Sequence, residues 1–279
     1  MIISARAKVA GVFGWPVEHS RSPRLHGFWL EAHEVDGAYV PLPVRPEHFE
    51  RALRLLPAMG FAGANVTLPH KEAALKAVDE ASTLARRIGA VNTVVVREDG
   101  SLYGDNSDAE GFVANLRDGA PEWDASAGPA VMLGAGGVAR AVGVALLDAG
   151  APELRIVNRT ASRAEKLAQE LGNRAKVSPW VDRARVLADA SLLVNATLLG
   201  MDGQSALDID LGLLPGDAVV TDTVYTPLKT PLLRIAAERG NAAVDGIGML
   251  LHQGRRGFAA WYGVDPEVSP ELRAFVLDG

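Results

Sequence analysis

Short apolar runs alternate with amphipathic stretches along the whole chain, and this alternation predicts an α/β protein whose parallel strands are covered by helices. In the first part, "KVAGVFG" reads as a strand, and a helix starts at Pro23 with Ser22 as its N-cap. "AYVPLPV" reads as the next strand and "EHFERALRLL" as the next helix. The strand "GFAGANVT", a helix after Pro69 and the strand "AVNTVVVRE" follow, and Asp99-Gly100 turns the last of these into "SLYGDN". Composition shifts at residues 117–129, "RDGAPEWDASAGP", whose Gly, Pro, Ala and acid content reads as a linker. Beyond it the rhythm tightens into a second α/β unit: strand "AVMLGAG", helix "VARAVGVALLDAG", strand "ELRIVNR", helix "SRAEKLAQELG", strands "SLLVNAT" and "AVVTDTV", helix "PLLRIAAERG" and strand "NAAVDG". The closing helical stretch, "MLLHQGRRGFAAWYG" and "PELRAFVL", is too long to be the last piece of that unit. It is expected to return to the first domain and make that domain discontinuous.

Composition narrows the class of protein without changing this outline. Of 279 residues 48% are hydrophobic, enough for a substantial core and too many for a disordered chain. The formal charge of −6 and the lack of any Lys/Arg block argue against nucleic acid and anionic membrane as partners. With no cysteine, disulfides, thiolate catalysis and Cys-based metal sites are all excluded. No secretory h-region and no 18-residue apolar run occurs, which reads as a cytoplasmic protein. The six histidines, His19, His26, His33, His48, His70 and His252, show no H-E-x-x-H spacing, so no metal is expected. A G-x-S-x-G nucleophile turn is also missing, which disfavours a hydrolase.

One turn carries specific chemistry. "VMLGAGGVARA" sets Gly134, Gly136 and Ala139 in a G-x-G-x-x-G/A pattern between a strand and a helix, and Gly137 joins them as a candidate cofactor-binding residue. The first glycine permits the tight turn, the second lets a pyrophosphate approach the backbone, and the helix N-terminus supplies N–H donors. Dinucleotide folds that use NAD usually carry an acid at the end of the next strand, for the ribose 2′-OH. Here "NRTASR" supplies Asn158, Arg159, Thr160 and Arg163 instead, a set suited to a 2′-phosphate and therefore to NADP(H).

The stretch "ANVTLPHK" is unusually polar for the end of a buried strand, presenting Asn65, Thr67, His70 and Lys71 together. Two readings are open: ordinary turn residues with Lys71 opening the polar face of the next helix, or the site of a small polar ligand. Other segments point the same way. "EHSRSP" places Ser20 and Ser22 two apart, "AVNTV" buries Asn92 in an apolar strand, and "YGDNSDAEG" puts Asp105, Asn106, Ser107 and Asp108 at a strand-to-helix junction.

Together with "GWPVEHSRSPRLH", "LGAGGVARA", "VNRT", "NATLLGM", "DTVYTPLKTPLL" and "GIGMLLHQG", these segments resemble the shikimate dehydrogenase family over almost the whole chain. The resemblance implies an α/β enzyme with an N-terminal substrate domain (1–108, completed by 247–279) and a C-terminal Rossmann-type NADP-binding domain (109–246), separated by a cleft. It implies NADP-dependent interconversion of 3-dehydroshikimate and shikimate, a small-molecule substrate as the partner, and a monomer or homodimer. Lys71 matches the catalytic lysine and Asp108 its acidic partner. Ser20 and Ser22 match hydroxyls that hold the substrate carboxylate, with Tyr225 near it. Asn65, Thr67, Asn92 and Gln253 match groups around the ring, Thr197 lies in the cofactor motif "NATLLGM", and Gly246 and Met249 sit where the nicotinamide end lies. Arg21 stands where the family commonly has Leu, and the sequence leaves it open between facing solvent and touching the carboxylate. Rival readings are a quinate or aminoshikimate dehydrogenase and a non-catalytic nucleotide or metabolite sensor.

Overall fold

The predicted apolar runs do form strands. In the computed structural model, which describes residues 2–278, the first part of the chain runs β1 (Lys8–Gly14), α1 (Ser22–Ala32), β2 (Gly37–Pro43), α2 (Phe49–Arg54), β3 (Phe61–Val66), α3 (Lys71–Ala77), β4 (Glu80–Ala81), α4 (Thr83–Ile88), β5 (Thr93–Val96) and β6 (Leu102–Asp105). It continues with α5 (Asp108–Gly119), β7 (Ala130–Leu133), α6 (Gly137–Ala149), β8 (Leu154–Val157), α7 (Ala161–Leu171), β9 (Ala175–Ser178), β10 (Leu192–Asn195), β11 (Val219–Asp222), α8 (Pro231–Glu238), β12 (Ala243–Val244), α9 (Ile247–Tyr262) and α10 (Pro270–Leu277). Two units result, Met1–Ser107 with Leu250–Gly279 and Asp108–Met249.

The first unit holds a six-stranded sheet in the order β2-β1-β3-β5-β6-β4. It is mixed rather than all-parallel: β1 pairs in parallel with β2 and β3, whereas β5 is antiparallel to both β3 and β6. The cause is the Asp99-Gly100 turn, where Gly100 takes φ +80° and the Asp99 carboxylate accepts from the Ser101 N–H at 2.9 Å. Such a tight turn can only join antiparallel neighbours. Helix α1 begins at Ser22 itself, and its cap residue Arg21 makes no side-chain capping bond, so Ser22 is not the N-cap.

Phe13, Phe49, Leu53, Leu56, Val66 and Leu102 form an apolar core in this unit. Elsewhere an aromatic cluster surrounds His26, whose ring stacks on Tyr39 at 3.9 Å between centroids and lies 5.6 Å from the rings of Trp29 and Trp261. His26 is completely buried, and its desolvation pushes the imidazole pKa from 6.5 down to about 3. The unfolded chain therefore binds a proton between those values that the folded chain refuses. Stability from this group is complete above pH 6.5 and falls as pH drops toward 3. Between pH 6.5 and 4.5 the loss is about 2–3 kcal/mol, at about 1.4 kcal/mol per pH unit. Urea denaturation at the two pH values should show His26→Phe losing about 2 kcal/mol less than the parent. Equal losses would assign the acid sensitivity to other groups.

The second unit is a six-stranded, wholly parallel sheet in the order β9-β8-β7-β10-β11-β12. Strands β7, β10 and β11 are buried at every position, the pattern expected when helices cover both faces. From β7 the chain winds outward through β8 and β9, then returns to β7's other side as β10. The strand order thus reverses between β7 and β10, and α/β sheets bind ligands beyond the strand ends at such a point. The segment read as a linker is partly helical, because α5 runs on to Gly119.

Candidate active site

In the first unit the polar stretch is built onto the end of β1. The Thr67 N–H donates to Phe13 O at 2.9 Å and the Trp15 N–H to Leu68 O at 3.1 Å, which lays the residues after β3 alongside those after β1. Lys71 then opens α3, partly exposed, and its carbonyl accepts from the Val91 N–H at 3.0 Å. That bond brings the lysine's backbone beside the segment carrying Asn92. His70 proves structural: its ring stacks on Phe49 at 4.3 Å and its Nε2 lies 2.8 Å from Val44 O.

The Asn92 amide is held by a chain of hydrogen bonds. Tyr39 OH donates to Asn65 Oδ1 at 2.6 Å, and Asn65 Nδ2 donates to Asn92 O at 3.1 Å and Thr93 Oγ1 at 3.3 Å. Thr93 Oγ1 passes its single proton to Asn92 Oδ1 at 2.9 Å, which also accepts from the Ser107 N–H at 2.9 Å. With Oδ1 so used, Asn92 Nδ2 is directed to Gln253 Oε1 at 2.9 Å and Ser107 Oγ at 3.1 Å. The Asn92 carbonyl, which can only accept, and the Ser107 N–H, which can only donate, allow one orientation of each amide. Asn65, 9% exposed, has its amide taken up by Tyr39, Asn92 and Thr93, so it braces Asn92. Ser20 Oγ accepts from the Ser22 N–H at 3.3 Å, which keeps the two serines in one tight loop. The structure therefore links Asn65, Asn92 and Gln253 directly, while Ser20 with Ser22 and Thr67 with Lys71 occupy neighbouring loops of the same unit.

In the second unit, Gly134 takes φ +113°, and a Cβ there would stand 2.7 Å from Ala196 O, so only glycine fits. At Gly136 and Gly137 a Cβ would meet nothing within 4 Å, which leaves an open cradle at the start of α6. The Asn158 amide donates to Thr160 O at 2.9 Å and shapes the loop between β8 and α7. Arg159, Thr160 and Arg163 are exposed there, and among the described residues neither arginine forms an ion pair. An open glycine turn at a helix start, with two unneutralised guanidiniums beyond the next strand, fits the pyrophosphate and 2′-phosphate of NADP(H).

Two buried residues that sequence reading missed organise the far loops of this unit. Asn195 Oδ1 accepts from Thr197 Oγ1 at 2.7 Å, and Asn195 Nδ2 donates to Asp222 Oδ1 at 2.9 Å. Asp222 also accepts from the Val224 N–H at 3.0 Å and from Thr230 Oγ1 at 2.8 Å. Burial raises the Asp222 pKa although these three bonds oppose the rise. Thr197 and Tyr225 thus belong to loops tied by one bracket, and a polar residue ending each apolar strand, "LLVN" and "VVTD", was its available signal. A Cβ on Gly246 would stand 2.7 Å from Asp222 O, and Met249 is buried nearby in sequence. Asp108, 3% exposed, is the first residue of α5.

Residues 12–94 match the model of the shikimate dehydrogenase substrate binding domain, and residues 122–199 match that of shikimate / quinate 5-dehydrogenase. The chain is 60% identical over 275 residues to the shikimate dehydrogenase (NADP(+)) of Paramagnetospirillum magneticum, across 99% of this chain and 100% of that one. Among solved structures, quinate dehydrogenase from Corynebacterium glutamicum in complex with NAD superimposes with a TM-score of 0.91 at 32% identity, covering 98% of this chain and 99% of that one. Shikimate 5-dehydrogenase from Thermus thermophilus in complex with NADP(H) and shikimate superimposes with a TM-score of 0.86 at 40% identity, covering 97% and 99%.

Proposed function

The chain belongs to the shikimate dehydrogenase family, and from that premise we propose how its side chains divide the work of an NADP-dependent oxidoreductase. The enzyme interconverts 3-dehydroshikimate and shikimate in aromatic amino-acid biosynthesis. In this reading the substrate is handled by residues 1–108 and 247–279, and NADP(H) by residues 109–246. No helix among the described residues is long and apolar enough to cross a membrane, and we place the enzyme in the cytoplasm.

The observation that carries the assignment is the locked polar array of Asn92 and Gln253, with Lys71, the first residue of α3, joined by its carbonyl to the neighbouring Val91 N–H. Fixed donors and acceptors suit a small ring bearing several hydroxyls, because a rigid array loses little entropy on binding. Ser20 and Ser22 donate hydroxyl protons to the substrate carboxylate, with Tyr225 as a further contact to it. Thr67, Asn92 and Gln253 take the ring hydroxyls, and Asn65 acts through Asn92. NADPH, when bound, supplies the hydride.

As the ketone is reduced, negative charge grows on its oxygen, and the Lys71 ammonium donates a proton to that oxygen. In the oxidative direction the neutral Lys71 amine takes the proton back from the hydroxyl. Asp108 is assigned to stabilise and orient the ammonium. Gly134, Gly136 and Gly137 admit the pyrophosphate, Asn158, Arg159, Thr160 and Arg163 hold the 2′-phosphate, and Thr197, Gly246 and Met249 line the nicotinamide end.

Shikimate and quinate, each crossed with NADP and NAD in a nicotinamide absorbance assay on the purified protein, test the reading. The shikimate/NADP pair should be the most efficient of the four. The likeness to a quinate dehydrogenase bound to NAD makes quinate with NAD the second reading, and highest efficiency with that pair would replace the first.

A further inference from the structure

Arg21 lies between the two serines assigned to the substrate carboxylate and is only partly buried. Its guanidinium donates to the carbonyl of Val276, in the last turn of α10. Arg24, three residues on, donates to Phe275 O at 2.6 Å and packs over the Phe275 ring at 4.5 Å. Further along α1, Trp29 Nε1 donates to Glu267 O at 3.0 Å. Two side chains of α1 and that of its cap residue thus grip three carbonyls of the C-terminal segment, whose Leu272 and Val276 are fully buried. The contact is favourable on two grounds. The last carbonyls of a helix have no partners within it, and cations near a helix C-terminus are stabilised by its dipole.

We propose that α10 positions the carboxylate-binding serines through Arg21, so that the C-terminal helix sets affinity for the acidic substrate; this rests on the assignment of Ser20 and Ser22 made above. Ser22 is held by burial, at 7% exposed, and by a side-chain hydrogen bond with Tyr39, whereas the restraints on Ser20 and Arg21 are modest. Ser20 N–H donates to Val17 O at 3.0 Å, Ser22 N–H reaches Ser20 Oγ at 3.3 Å, and the Arg21 carbonyl begins α1 by accepting from the Leu25 N–H at 3.0 Å. Arg21 adds a tether from the middle of that loop to an element 255 residues away in sequence. Without it, Ser20 and the loop leading into Ser22 must be ordered at the expense of substrate binding, whereas bond making at the ketone is untouched.

The test compares Arg21→Leu, Arg21→Lys, Arg24→Leu and Ser22→Ala by steady-state kinetics and thermal melting. Arg21→Leu should raise KM for shikimate about tenfold, with kcat and KM for NADP within about twofold of the parent. Arg21→Lys, which keeps a cation for the helix end, should recover part of that loss. Arg24→Leu removes a similar bond away from the serines, so it should lower Tm comparably and leave KM for shikimate within about twofold. An unchanged shikimate KM in Arg21→Leu overturns the proposal. So does a parallel loss of kcat and of both affinities, which would make Arg21 a general structural brace. Ser22→Ala separates the two levels: if it too leaves shikimate KM unchanged, the assignment of the serines has failed, whereas a raised KM there beside a normal Arg21→Leu sinks only the role of α10.

Discussion

Lys71→Ala should lower kcat for shikimate oxidation and for 3-dehydroshikimate reduction by about 10²–10⁴-fold, the range typical of losing a positioned general acid–base group. KM for shikimate should change by less than about fivefold, because the carboxylate and hydroxyl contacts assigned to other residues remain. The reasoning is electrostatic. Hydride arriving at the carbonyl carbon leaves charge on oxygen, and the stabilisation needed exists only in the transition state, so its loss appears in kcat. Lys71→Arg should be nearly as damaging, since a guanidinium does not deprotonate in proteins and cannot cycle as acid and base. Rapid-quench or stopped-flow measurement of the first turnover would place the defect in chemistry rather than in product release. A large rise in KM at normal kcat would instead make Lys71 a binding residue.

Replacing both Arg159 and Arg163 with alanine should lower the ratio of NADP to NAD efficiency by about 100-fold, with each single variant near tenfold. Charge-assisted hydrogen bonds contribute about 1.5–3 kcal/mol each, and about 1.4 kcal/mol is a factor of ten. Both side chains are exposed, so screening keeps each at the lower end of that range. Efficiency with NAD should stay within about twofold, because NAD has no 2′-phosphate for these groups to meet. The parent's preference for NADP should also weaken as ionic strength rises, and this salt dependence should disappear in the double variant. A ratio that stays constant across all three variants would remove the arginines from cofactor choice.

Much of this protein was legible from local pattern. Period-two and period-3.6 apolar spacing located most strands and helices, and β1 and α10 occupy the stretches the pattern marks. The elements it missed, β4, α4 and β9, are short, and β4 and β9 have exposed positions, so their apolar signal is weak. The glycine turn and the basic "NRTASR" were equally readable, because each is a contiguous segment whose chemistry follows from residue type.

By itself the sequence determined the two α/β units' repeating elements, the glycine turn, the basic "NRTASR" segment after the next strand, and the polar residues available to a small ligand. Only the tertiary structure decided how those residues are held. The Asn92 carbonyl and the Ser107 N–H fix the amides of Asn65 and Asn92, Asp222 ties the loops of Thr197 and Tyr225, and Arg21 finds its partner at the opposite end of the chain. The physical reason is shared. Secondary structure and phosphate cradles arise from neighbours in sequence, whereas the direction of an amide or a guanidinium is set by which distant donor or acceptor the folded chain brings within hydrogen-bonding distance.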